Sequence, residues 1–85
     1  MYPGEGLIIE PCTGIHTFFM RFTIDVVFYD KNGRVVAVHH NVKPWRITKI
    51  HTSAKGVLEL PAESAKGIRV GDKLLIHKEA TNVVE

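Results

Sequence analysis

The sequence predicts a mostly β fold (small α+β). The expected form is a compact barrel or a strongly curled antiparallel or mixed sheet of about six strands, with one short helix. Three observations carry this reading. Apolar residues alternate with polar ones with a period of two from Phe18 to Tyr29. Asp30-Lys31-Asn32-Gly33 then forms a strong turn signal before a second alternating run. Gly and Pro punctuate the rest of the chain at short intervals, leaving room for strands but not for long helices.

The elements follow in order. Gly6 to Glu10 is a short strand, Leu-Ile-Ile bounded by Gly and by Pro11, and Pro11, Thr13 and Gly14 mark a turn. In the long alternating run, Phe18, Met20, Phe22, Ile24, Val26 and Phe28 share one face, and Phe19, Arg21, Thr23, Asp25, Val27 and Tyr29 the other. A helix would scatter the first set around its axis, so this is a strand. Gly33 suits the left-handed position of a three-residue hairpin loop, and Arg34 to Val42 is the return strand. That loop sets Asp30 opposite Arg34, Phe28 opposite Val36, Val26 opposite Val38 and Asp25 opposite His39. Pro44 interrupts pairing, and Trp45 to Ile50 is a short extended piece. Val57 to Leu60 is a strand. Pro61 to Lys66 reads as one or two helical turns capped by Gly67. Gly71-Asp72 turns the chain into a last strand, Lys73 to His77. The even-numbered face of the hairpin is expected in the core with Leu58, Leu60, Leu74 and Ile76.

Composition narrows the function classes. Eighty-five residues make one domain, 1–85, with a modest core. Hydrophobic residues at 45% and charged residues at 24% exclude a disordered tail. No apolar run approaches the ~20 residues that span a bilayer, and the first residues lack a signal-peptide pattern. A cytoplasmic protein without membrane partners is the expectation. A single cysteine, Cys12, excludes an internal disulfide framework. The formal net charge is only +2, but its distribution is uneven. Lys31, Arg34, Lys43, Arg46, Lys49 and Lys55 fall between residues 31 and 58 with no acid among them, a basic waist that suits an anionic partner.

The run from Pro11 to Phe28, through Cys12-Thr13-Gly14-Ile15-His16-Thr17 and Arg21-Phe22-Thr23-Ile24-Asp25, resembles the signature of a bacterial and archaeal family, domain of unknown function 192. The resemblance continues through Asp30-Lys31-Asn32-Gly33-Arg34-Val35-Val36, Asn41-Val42-Lys43-Pro44-Trp45-Arg46, Val57-Leu58-Glu59-Leu60-Pro61-Ala62 and Gly71-Asp72. It implies a compact, mostly β fold and no established activity. Thr23 stands where a proline is common, and family members usually carry a further N-terminal segment. The Gly67 to Leu74 stretch is similar to the Gly-Asp turn of cradle-loop barrels.

Candidate chemistry is sparse. Cys12 and His16 are the residue types of a thiol nucleophile and its base, but in an extended segment they would stand about 13 Å apart, so only the Thr13-Gly14 turn could join them. Zinc would need Cys12 and His16 with His39, His40 or His51, and no pair has the close spacing of a structural site, so no metal and no cofactor is expected. Arg21, Asp25 and Phe19 share the less apolar face of a strand, and the hairpin register adds His39. Trp45 and Arg46, with Lys43 and Lys49, mix an aromatic ring with cations. The sequence thus favours a non-catalytic binding or accessory module. Its site comprises the Cys12–Arg21 segment, with Asp25, His39, Trp45 and Arg46, and its partner is a small anionic ligand or a protein. A thiol enzyme using Cys12 and His16 is the alternative. Nucleic acid is a further possible partner through the basic waist, and an open strand edge would permit a homodimer.

Overall fold

The structure is a computed structural model that describes residues 6–18 and 21–75. Its strands are β1 (Leu7–Ile9), β2 (Ile24–Tyr29), β3 (Val35–Val42) and β4 (Gly56–Pro61). They form one antiparallel sheet in the order β1-β4-β2-β3, which does not close into a barrel. The expected six strands and helix are therefore replaced, among the described residues, by four strands and no helix.

The hairpin begins in the expected register and then leaves it twice. Gly33 is left-handed, at φ 82°. The Asp30 N–H donates to the Arg34 carbonyl at 2.9 Å, as a three-residue loop requires. Tyr29 faces Val35, but Phe28 faces Ala37, leaving Val36 as an extra residue in β3. Val26 accordingly faces His39, where Val38 was expected. A second shift lies between Val26 and Ile24, which faces Val42. There Asn41 adopts φ 54° and donates its N–H to Asp25 Oδ1 at 2.9 Å. A buried carboxylate thus claims a backbone donor and bulges the strand. Asp25 is not paired with His39.

The same carboxylate explains the missing helix. In a helix the Ala65 N–H would bond to the Pro61 carbonyl four residues earlier. It donates instead to Asp25 Oδ2 at 2.9 Å. The Ser64 N–H closes a tighter turn on the Pro61 carbonyl at 3.0 Å, and Glu63 sits at φ 69°. Residues 61–67 are consequently a chain of turns.

Lying between β3 and β4, β2 is buried along its whole length. Ile24, Val26 and Phe28 pack with Val57 and Ala54 on one side, joined by Ile9, Cys12, Ile15 and Val42. Val27, Val35 and Ala65 pack on the other side with Leu58, Leu60, Ile68 and Leu74. This corrects the expected core: Leu58, Leu60 and Leu74 pack on the odd-numbered side of β2, and both sides of β2 are covered. Phe22 lies before β2 and is 42% exposed. The last expected strand is seen as one bridge, Lys73 to Arg34, with the Leu74 N–H on the Gly33 carbonyl at 2.7 Å. Phe19, Met20, Ile76 and His77 lie outside the described residues. No helix among the described residues is long and apolar enough to cross a membrane.

Candidate functional site

Residues 13–17 and 45–51 run antiparallel beside the sheet as an irregular ribbon. His51 donates its N–H to the Thr13 carbonyl at 2.8 Å, and Thr48 to the Ile15 carbonyl at 2.9 Å. Nearer the ribbon's end His16 pairs with Ile47. Thr17 and Thr48 are buried and Ile15 packs on the core, while His16, Trp45, Arg46, Ile47 and Ile50 are exposed. The expected extended piece after Pro44 is one half of this ribbon.

Thr17 clamps its end. The Trp45 N–H donates to the Thr17 carbonyl (3.0 Å) and the Thr17 N–H to the Arg46 carbonyl (2.8 Å). The Arg46 N–H donates to Thr17 Oγ1 (2.8 Å), whose own proton goes to the Lys43 carbonyl (2.7 Å). These bonds hold Trp45 at φ 64°, a left-handed conformation that costs a bulky residue about 1–3 kcal/mol. The indole is nevertheless 56% exposed. It stacks on Phe18, with centroids 5.4 Å apart, and Phe18 in turn meets His16 at 4.7 Å. Lys43, Arg46 and Lys49 lie within four residues of Trp45 in sequence, and all are exposed. The ion pairs among the described residues, His40 with Asp25 and Lys66 with Glu63, involve none of these three.

Of the residues singled out from sequence, His16, Trp45 and Arg46 meet on this ribbon. Asp25 does not join them. It is fully buried against the 61–67 turns, and its opposing influences are clear. Burial alone would raise its pKa, but the Asn41, Ala65 and Glu63 amides, with His40 at 3.7 Å, hold it below the ordinary carboxylate value. Across the sheet, His39 packs against Phe28, and its Nε2 lies 2.9 Å from that of His51, so one imidazole N–H donates to the other ring. Burial and the neighbouring His51, Lys49 and His40 push the His39 pKa down. Arg21 is exposed in the link before β2.

Cys12 lines the core beneath the ribbon, and its thiol donates to the Gly14 carbonyl at 3.1 Å. Burial pushes its pKa up, and the carboxylate of Glu59 adds to this. A nucleophilic thiol needs the opposite shift. His16 Nδ1 accepts the Phe18 N–H at 3.3 Å, so Cys12 bonds to a carbonyl of the Thr13-Gly14 turn and His16 to an amide beyond it. Among the described residues, no three His, Cys, Asp or Glu side chains converge to hold a metal.

Sequence reasoning missed two features. The ribbon pairing needed Thr17 and Thr48 to be recognised as inward-facing residues on segments far apart in sequence. The second feature is a polar cleft of about 220 Å³ lined by Glu10, Tyr29, Asp30, Lys31 and Lys55. That volume is below the usual size of a small-molecule pocket. In it Tyr29 donates to the Glu10 carboxylate, and burial with that contact holds the phenol protonated.

Fold and site together define a small protein built on an open, antiparallel sheet, with an aromatic and cationic ribbon at its surface. The chain belongs to the DUF192 family: residues 1–76 match the family described as uncharacterized ACR. It is 44% identical over 80 residues to a UPF0127 protein of Pyrococcus abyssi, covering 85% of this chain and 68% of that protein. It is also 44% identical over 62 residues to a UPF0127 protein of Pyrococcus horikoshii, covering 71% and 53% respectively. The chain thus spans 53–68% of the length of these curated relatives. Its fold is similar to the crystal structure of a protein of unknown function from Novosphingobium aromaticivorans, with a TM-score of 0.75 at 23% identity, covering 86% of this chain and 58% of that one.

Proposed function

We propose that this protein is a non-catalytic binding module whose contact surface is the ribbon of residues 13–18 and 43–50, and whose partner is anionic. One observation carries the reading: the backbone around Thr17 holds Trp45 outward in a strained conformation. Strain of this kind is retained where the surrounding structure fixes it, and it clusters at functional sites. The acid-free segment from 31 to 58 supplies the cations around the ring.

Trp45 is the chain's one tryptophan, so its fluorescence reports directly on the surface. Tripolyphosphate and a hexaglutamate peptide serve as probes at low salt. Saturable change in Trp45 emission, lost in an Arg46→Glu/Lys49→Glu variant, supports the reading. Emission that stays constant with both of these and with the oligonucleotides used below overturns it.

A further inference from the structure

The partner's chemistry can be narrowed, on the basis of the binding reading above. The His16–Ile47 bridge sets the ladder, so Phe18 and Trp45 stand one step along on the same outward side. Lys43, Trp45, Arg46, Ile47 and Lys49 are all exposed, with Lys43 just before the turn at Pro44-Trp45. The segment therefore presents the stacked Phe18 and Trp45 rings and an exposed isoleucine, with three cations within four residues of Trp45 in sequence. Trp45 and Ile47 stand out at 56% and 72% exposure, so a partner lies across them rather than inside a pocket.

We infer that this face binds single-stranded nucleic acid, with bases stacking on Trp45 and phosphates held by Lys43, Arg46 and Lys49. A flat ring with flanking cations fits a base and its phosphate at once. Paired bases hide their π faces inside the duplex, so the ring selects for an unpaired strand. An acidic protein is the weaker match, because protein interfaces are depleted in lysine at their centres. A lone nucleotide gains little from an open face that several linked nucleotides can share.

The test is fluorescence anisotropy of labelled octamers, rU8 and dT8, titrated with the full chain. A labelled duplex hairpin and unlabelled UMP as competitor accompany them. Both octamers should bind with quenching of Trp45, tighter than the hairpin, with UMP competing poorly. Trp45→Leu should weaken binding about fivefold or more, since one base–aromatic stack contributes roughly 1–3 kcal/mol. Lys43→Ala/Lys49→Ala should flatten the salt dependence by about 1.4 in log–log slope. If Trp45→Leu disturbs the fold by circular dichroism, Trp45→Phe keeps a ring and should retain most of the binding. Hairpin binding equal to that of the octamers, or octamer binding unchanged by loss of the ring, overturns the inference. Octamers that fail to bind while tripolyphosphate or hexaglutamate still moves Trp45 emission also overturn it, leaving the binding reading intact. Silence of Trp45 towards every probe removes both.

Discussion

Replacing Asp25 by Asn changes one oxygen into an NH2 group and should cost this protein a large part of its stability. The wild-type carboxylate is fully buried and takes the Asn41 N–H on one oxygen and the Ala65 N–H on the other, both at 2.9 Å. The amide keeps one acceptor. Its NH2 then faces a backbone donor, which leaves a buried N–H unsatisfied at about 1–3 kcal/mol. The surviving bond loses its charge assistance, which adds roughly 1 kcal/mol. The expected total is about 2–4 kcal/mol, against about 4–13 kcal/mol for a chain of this length. In a domain this small the melting temperature should fall by about 8–30 °C. Urea and thermal unfolding at pH 7, followed by circular dichroism, measure it. Amide hydrogen exchange adds a local readout, because the Ala65 and Asn41 amides should accelerate more than their neighbours. A variant within about 0.5 kcal/mol of wild type would refute the reasoning, since such a small change is ordinary for a surface site.

Other expectations follow from the same contacts. His39 has a lowered pKa, so the unfolded chain binds a proton that the folded one resists. Its contribution to stability is full above the ordinary value near 6.5 and declines as the pH drops below it; His39→Gln should abolish that part of the pH dependence in urea titrations from pH 7.5 to 5. Glu59 is shifted the other way by burial, so its contribution is full below the ordinary 4.5 and is lost as the pH rises through its folded pKa. Glu59→Gln should therefore raise stability at pH 7 and change little at pH 4, as urea unfolding at the two pH values would show. Cys12 should react with iodoacetamide at pH 7 more slowly than a free thiol, and a faster rate would revive the thiol-enzyme alternative. Thr17→Val should cost about 1–3 kcal/mol by orphaning the Arg46 N–H and the Lys43 carbonyl, and it should shift Trp45 emission in the folded protein.

Local signals in the chain were enough to place the Ile24–Tyr29 half of the expected Phe18–Tyr29 strand, the Gly33 loop and the first pairs of the hairpin. Period-two patterning and turn chemistry act over a few residues, and nothing distant competes with them there. Two of the departures, the bulge at Asn41 and the missing helix, trace to one side chain. Asp25 looked like an outward polar residue because it alternates with apolar ones. In the fold the turns of residues 61–67 cover that face, and the carboxylate takes the amides that a regular strand and a helix would have used. A long-range contact of this kind leaves no local pattern. The candidate site was half legible: Trp45, Arg46 and His16 were visible as residue types, but their meeting depends on Thr17, a residue with no distinctive spacing.

The strand order has a consequence for how the chain reaches this state. β4 lies between β1 and β2, so Leu7 waits for Glu59, and Ile24 for Pro61, before either edge is closed. During synthesis the β2–β3 hairpin therefore emerges before β4, with apolar side chains on both faces of β2 and its β4 side unpaired. Folding dominated by such distant pairings is slow compared with that of helical proteins of equal size. The interval before β4 arrives is the period in which this protein is most exposed to aggregation. A chain truncated before residue 56 should be captured by chaperones or lost to inclusion bodies rather than persist as a smaller folded unit.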